Sequence, residues 1–251
     1  MTTTQPPRSR WLRNFHPAPN ARIRLICFPH AGGSASYYFP MSAALAPEFN
    51  VYGVQYPGRQ DRHSEPFVET IDDLADQVFT ALTALPEQPT AFFGHSMGAV
   101  LAFEVTRRYE SLSGRRPVVV FASGSRAPSR YGDEWERKSD SDLIDVMRDL
   151  GGTDPRVLND PDLLSTFLPA FRNDYRALQA YHRGTDVAVH APVVVMSATD
   201  DPKTSEDDAR AWLQHTSGGG QVHLFTGGHF YLEKQPQKVI EVVTQTLRDV
   251  G

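Results

Sequence analysis

The 251-residue chain has one cysteine, Cys27, so no internal disulfide can form, and such scarcity suits a reducing compartment. Its neighbours Leu25, Ile26 and Phe28 read as a buried strand, where a free thiol behaves as a small hydrophobe rather than a nucleophile. No apolar run approaches the roughly 20 residues of a membrane helix. The opening MTTTQPPRSRW has no apolar signal region, so a cytoplasmic location and no membrane contact are expected. Positive charge is also short: a net charge of −5 argues against the basic face of a nucleic-acid binder. There is no H-E-x-x-H and no cysteine cluster, so no metal site is expected. Nor does any G-x-G-x-x-G follow a strand, so no nucleotide cofactor is indicated. What remains is ordinary globular composition, 40% hydrophobic and 22% charged, enough for a single domain over 1–251.

Residues 1 to about 20 are rich in Pro, Arg and Thr and are expected to wrap the surface. After them, short apolar runs read as strands: Ile23–Phe28, Val51–Gln55, Ala91–Phe93, Val118–Ser123, Val193–Ala198 and Val222–Phe225. Runs such as Val118–Phe121 do not alternate, which marks parallel strands covered on both faces. Helix starts lie between them: Thr70 with Asp73 three positions on, Ser205 with Asp208, and Pro236. The alternation predicts an α/β fold, a mostly parallel central sheet with helices on both faces. One region departs from it. Between Ser123 and Val193 there are two helical patterns and no strand; in the second, Asp160-Pro161 leads into Leu164, Phe167, Leu168, Phe171, Tyr175 and Leu178 at helical spacing. A helical lid insertion at about 126–185 is expected there, over the carboxyl edge of the sheet where such folds bind ligands.

The stretch Gly94-His95-Ser96-Met97-Gly98 fits G-x-S-x-G, with an apolar strand before it and a helix-competent run after it. That setting is the nucleophile elbow of α/β-hydrolases, in which a strained turn presents the serine and small residues two places either side avoid clashes. A serine hydroxyl needs a base within hydrogen-bond reach. His95 is adjacent, but neighbouring side chains in an elbow point apart, so it is expected to pack beside the turn. The order Ser, acid, His selects a later histidine. His182 and His190 precede the expected acid, His215 falls on a helix and His223 within a strand; His229, in Gly227-Gly228-His229-Phe230, follows the last strand. The acid should leave the strand before it, and there Asp200 and Asp201 both stand as candidates. An oxyanion hole needs the backbone N–H of Met97 and a second donor from the loop Phe28-Pro29-His30-Ala31-Gly32-Gly33.

Taken together with Trp11-Leu12-Arg13 and Tyr56-Pro57-Gly58-Arg59, these motifs resemble the type II thioesterases, the free-standing editing partners of polyketide and nonribosomal peptide synthases. The resemblance runs from about Trp11 to the last helix. It implies an α/β-hydrolase fold and hydrolysis of acyl thioesters carried on the phosphopantetheine arm of acyl or peptidyl carrier proteins. It implies no cofactor, and removal of aberrant or stalled acyl groups as the role. By the family's pattern the acid is Asp201, before Pro202, and the second oxyanion donor is Ala31. Here the chain departs from the family, which often has a glycine ahead of the acid where this one reads Ser197-Ala198-Thr199-Asp200-Asp201-Pro202. Leu164, Phe167, Leu168 and Phe171 are lid positions that would either shape an acyl tunnel or, equally, pack as ordinary core. No G-x-D-S-[LI] carrier-attachment pattern is present, so the carrier is expected on another chain and the enzyme as a monomer. A free-ester esterase or lipase, an acyltransferase, and a non-catalytic docking module are the rival readings.

Overall fold

Seven strands form one sheet in the computed structural model, which describes residues 10–132 and 138–251. They are β1 (Leu12–Arg13), β2 (Arg24–Phe28), β3 (Asn50–Val54), β4 (Thr90–His95), β5 (Val120–Ser123), β6 (Val193–Ala198) and β7 (Gly220–Phe225), in spatial order β1-β3-β2-β4-β5-β6-β7. Only β1 runs antiparallel, pairing Leu12 with Val54. The helices are α1 (Phe39–Leu45), α2 (Ile71–Thr83), α3 (Met97–Ser113), α4 (Asp140–Leu150), α5 (Pro155–Asn159), α6 (Pro161–Gln179), α7 (Glu206–Arg210), α8 (Tyr231–Lys234) and α9 (Pro236–Asp249).

The unalternating runs have the burial they imply. On β2, Ile26 and Phe28 face the core shared with α2 and α3, while Leu25 and Cys27 face the one shared with α1 and α9. Phe92 and Phe93 on β4 divide the same way, and all four strands β2, β4, β5 and β6 are buried throughout. Each such side chain contributes about 1.5–3 kcal/mol by leaving water, so the central strands are the most strongly held part of the molecule. Cys27 is fully buried, and burial pushes its thiol up, the reverse of what a nucleophilic thiolate needs. The caps also form: the Thr70 hydroxyl accepts the Asp73 N–H, and Ser205 and Asp208 make a reciprocal capping box. This is the α/β-hydrolase fold.

Two expectations need correction. Of the segment expected to wrap the surface, 1–9 lies outside the described residues, and Leu12 is instead buried in an edge strand. Its ladder is extended by the Gln55 N–H donating to the Trp11 carbonyl, and Arg62 stacks on the Trp11 ring at 4.2 Å. Two residues carry too little pattern to announce a strand. Among the described residues between β5 and β6 there are three α-helices rather than two, because Asp154 caps a separate short turn, α5, before Asp160 caps α6. Part of that segment, 133–137, lies outside the described residues. Among the described residues no helix is long and apolar enough to cross a membrane.

Candidate active site

The site begins at the joint between β4 and α3. Ser96 has φ 56° and ψ −123°, a conformation that side-chain-bearing residues avoid, and its N–H is tied to the Ser123 carbonyl at 2.8 Å. The flanking glycines permit this, though in different ways. A Cβ on Gly94 would lie 2.1 Å from the Gly98 carbonyl oxygen, a clash inside the turn. A Cβ on Gly98 would instead lie 1.9 Å from the Phe28 carbonyl oxygen and 2.8 Å from that of Pro29, at the end of β2. Gly98 therefore admits the neighbouring loop rather than the turn itself. Ser96 is the one residue of the Gly94–Gly98 stretch that is not buried. Met97 opens α3, so its N–H is among those a helix start leaves without an intrahelical acceptor.

At the carboxyl ends of β6 and β7, two loops are laced together by backbone. The Thr199 N–H donates to Phe225 O and the Asp200 N–H to Gly227 O, both at 2.9 Å. This places His229 Nδ1 2.8 Å from Asp201 Oδ2, with both side chains buried. The other carboxylate oxygen of Asp201 accepts the Lys203 N–H at 2.8 Å, so both oxygens are committed and the carboxylate is fixed. Asp200 is exposed. Of the two aspartates, only Asp201 is brought to the histidine.

His95 does not face outward. Its ring is fully buried, with Nδ1 3.0 Å from Ser123 Oγ, which in turn meets the Tyr231 hydroxyl at 2.7 Å. Burial, followed by the nearness of His229 and His30, holds its pKa well below the ordinary histidine value, so it stays neutral. Of the other downstream histidines, His182 and His190 bond to Tyr131 O and Ser217 Oγ, His215 spans Val187 O and Ser129 Oγ at 2.6 and 2.8 Å, and His223 lies within β7.

The loop after β2 is pinned at almost every group. Tyr38 donates to Phe28 O at 2.8 Å, Tyr56 to Pro29 O at 3.1 Å, and the Gly33 N–H to His30 O at 2.9 Å. Ala31, His30, Ser96 and His229 all line one cavity of about 370 Å³, within the range of small-molecule sites. The cavity runs beneath α4 and α6, past Met147, Phe171, Tyr175 and Leu178. Of the four lid positions named from sequence, only Phe171 is on this lining. Leu168, like Phe171, belongs to the core, and Leu164 and Phe167 pack against it, Phe167 over Gly32. Tyr175 and Leu178, one and two turns further along, take the lining role. His30 and Phe230 were also missed as lining residues; the Phe230 ring lies 4.9 to 5.2 Å from the rings of His30, His95 and His229. Their signal was present, since both sit in the glycine-bearing loops that carry Ala31 and His229.

Residues 23–247 match the family model of the thioesterase domain. The chain belongs to the thioesterase family. It is 45% identical over 248 residues to the probable cadicidin biosynthesis thioesterase of Streptomyces griseus, across 98% of this chain and 68% of that one. Thioesterase PikA5 of Streptomyces venezuelae is 42% identical, over 94% of this chain and 85% of its own length. The solved structure of BorB, a type II thioesterase from the borrelidin biosynthetic cluster, superposes with a TM-score of 0.86 at 43% identity, over 94% of this chain and 97% of that one. This thioesterase is thus a thioester hydrolase of α/β-hydrolase fold.

Proposed function

We propose that this thioesterase removes acyl groups from the phosphopantetheine arm of carrier proteins serving a polyketide or nonribosomal peptide synthase. In this reading Ser96, His229 and Asp201 are the catalytic triad, and the N–H groups of Ala31 and Met97 form the oxyanion hole. The observation that carries it is the 2.8 Å contact from His229 Nδ1 to Asp201 Oδ2, made at the wall of the cavity that Ser96 enters. A carboxylate on Nδ1 fixes the tautomer that leaves Nε2 free to take a proton, as a triad base requires. The likeness to thioesterases named for polyketide clusters supports the carrier-bound substrate.

Ser96 Oγ transfers its proton to His229 and attacks the thioester carbonyl. The oxyanion is held by Ala31 and Met97, and the C–S bond breaks as the imidazolium returns the proton to the pantetheine sulfur. Water, deprotonated by the same histidine, then attacks the acyl-serine; the acid leaves and Ser96 recovers its proton. No cofactor is needed for either half, and the carrier is supplied by a separate chain. The helical segment between β5 and β6 acts as the lid of a single cytoplasmic domain, working as a monomer. The test is release of free carrier thiol from an acyl-loaded carrier protein, followed by intact mass. Wild type should regenerate the thiol and Ser96→Ala should not, with an unchanged circular dichroism spectrum. Turnover by Ser96→Ala would overturn the assignment.

A further inference from the structure

Arg59 and Asp174 form a buried ion pair that the triad does not use. Their side chains are 7% and 2% exposed, and the guanidinium grips the carboxylate with both arms, Nη1 to Oδ2 at 2.6 Å and Nη2 to Oδ1 at 3.0 Å. Such a pair is costly to desolvate and seldom stabilises a fold over an apolar pair, so its position invites another explanation. Both partners hold the loop that carries Ala31. Asp174 Oδ2 accepts the Gly32 N–H at 2.8 Å, and Arg59 Nη1 donates to Gly33 O at 3.2 Å. Arg59 is itself fixed, donating through Nε to Pro57 O and lying over the Tyr56 ring, whose hydroxyl holds Pro29 O.

Peptide planarity gives this consequence for the Ala31 amide. Tyr56 sets the Pro29–His30 plane and Asp174 sets the Ala31–Gly32 plane; the plane bearing the Ala31 N–H lies between them. With both neighbours tied, that N–H has little freedom to turn. Asp174 sits on α6, the helix whose Phe171 and Tyr175 line the cavity, and Phe167 of the same helix closes over Gly32, 2.9 Å from where a Cβ would stand. We infer that Arg59 and Asp174 are positioning residues for the oxyanion hole, clamping the Ala31–Gly33 loop to α6 so that acyl-pocket wall and oxyanion donor move as one body. The inference rests on the proposed role of Ala31.

The test uses the full chain with an acyl-N-acetylcysteamine thioester, and a trifluoromethyl ketone of the same acyl length as an oxyanion-forming inhibitor. Asp174→Asn should lower kcat by about 100-fold, with KM within about twofold, since the lost interaction matters only once charge develops on the carbonyl oxygen. Inhibition by the ketone should weaken by the same factor. The paired replacement Arg59→Met with Asp174→Leu removes the charges without leaving one unpaired, so it should stay folded better than Asp174→Asn and still show both losses. Wild-type kcat and ketone affinity in that folded double variant would overturn the inference. Ser96→Ala measured alongside separates the two layers. If it is inactive while Asp174→Asn keeps wild-type kcat, only the clamp fails; if it is active, the triad reading itself fails.

Discussion

Replacing Gly98 by alanine tests how the elbow and the oxyanion loop are fitted together. Gly98 is the second residue of α3, and in a helix alanine is ordinarily better than glycine by about 0.5–1 kcal/mol. Here the added methyl carbon would lie 1.9 Å from Phe28 O and 2.6 Å from Phe28 C, both backbone atoms of a fully buried strand end. One of the two segments must retreat by more than about 1 Å to restore ordinary contact. That retreat opposes the Tyr38 hydrogen bond on Phe28 O and the Tyr56 hydrogen bond on Pro29 O. Overpacking of this kind costs about 3 kcal/mol, which outweighs the helical gain. It also pushes the Ala31 loop away from Ser96, and a misplacement of about 1 Å is expected to lower kcat by about 100-fold. Urea denaturation and turnover of an acyl-cysteamine thioester measure the two effects. Gly114→Ala is the control: its φ of 66° costs about 1–2 kcal/mol, but open space surrounds it and activity should hold. Wild-type stability and turnover in Gly98→Ala would refute the fitted-loop argument.

The two aspartates are separable by kinetics. Asp201→Asn should lose about four orders of magnitude in kcat because it disturbs the His229 tautomer, whereas Asp200→Asn, at an exposed side chain, should stay within about threefold; a larger loss at Asp200 would reassign the acid. Stability should fall on acidification, because burial pushes His30 down to about 3 and holds His95 well below its ordinary 6.5. The unfolded chain binds a proton at each site below pH 6.5 that the folded chain refuses, so their contribution is complete above that pH and is lost as pH falls toward 3, at up to about 1.4 kcal/mol per pH unit per histidine. His95→Gln should reduce that slope by about one proton in urea titrations between pH 4 and 6.5, and an unchanged slope would remove His95 from the account. Glu104, fully buried on α3, accepts from Tyr181 and Arg183 just beyond the end of α6 as well as from Arg107 and Arg108. Glu104→Leu should cost about 1–3 kcal/mol in thermal or urea unfolding, since it strands the buried Tyr181 hydroxyl while Arg108 and Arg183 keep Asp72; no measurable loss would show the Tyr181 bond to be replaced by solvent.

What the sequence announced and what it concealed divide along a physical line. The strands at Val193–Ala198 and Arg24–Phe28 are legible because full burial on two faces demands continuous apolar residues, and the cap at Asp160 because four helix amides demand acceptors nearby. The elbow is legible for the same reason: its constraint is local, a positive φ at Ser96 with a glycine two places before it. The constraint on Gly98 is different in kind, because the atoms it admits belong to Phe28 and Pro29, seventy residues earlier. Arg59 and Asp174 are 115 residues apart, and nothing in their neighbourhoods names the partner. One trace exists. Asp174 stands three residues after Phe171 and seven after Phe167, on the very stripe that faces the core, where a carboxylate without a cation would be ruinous. A charge on an apolar stripe thus predicts a buried partner without identifying it, and the structure supplies that partner in Arg59. The same reasoning applies to the lid positions, which the sequence leaves open between tunnel wall and core. Helical spacing fixes which residues share a face but not which of them border the cavity: Leu168 falls in the core and Tyr175 on the lining of one helix, and what holds that helix to the Ala31 loop is a contact distant in sequence, Asp174 on the Gly32 N–H.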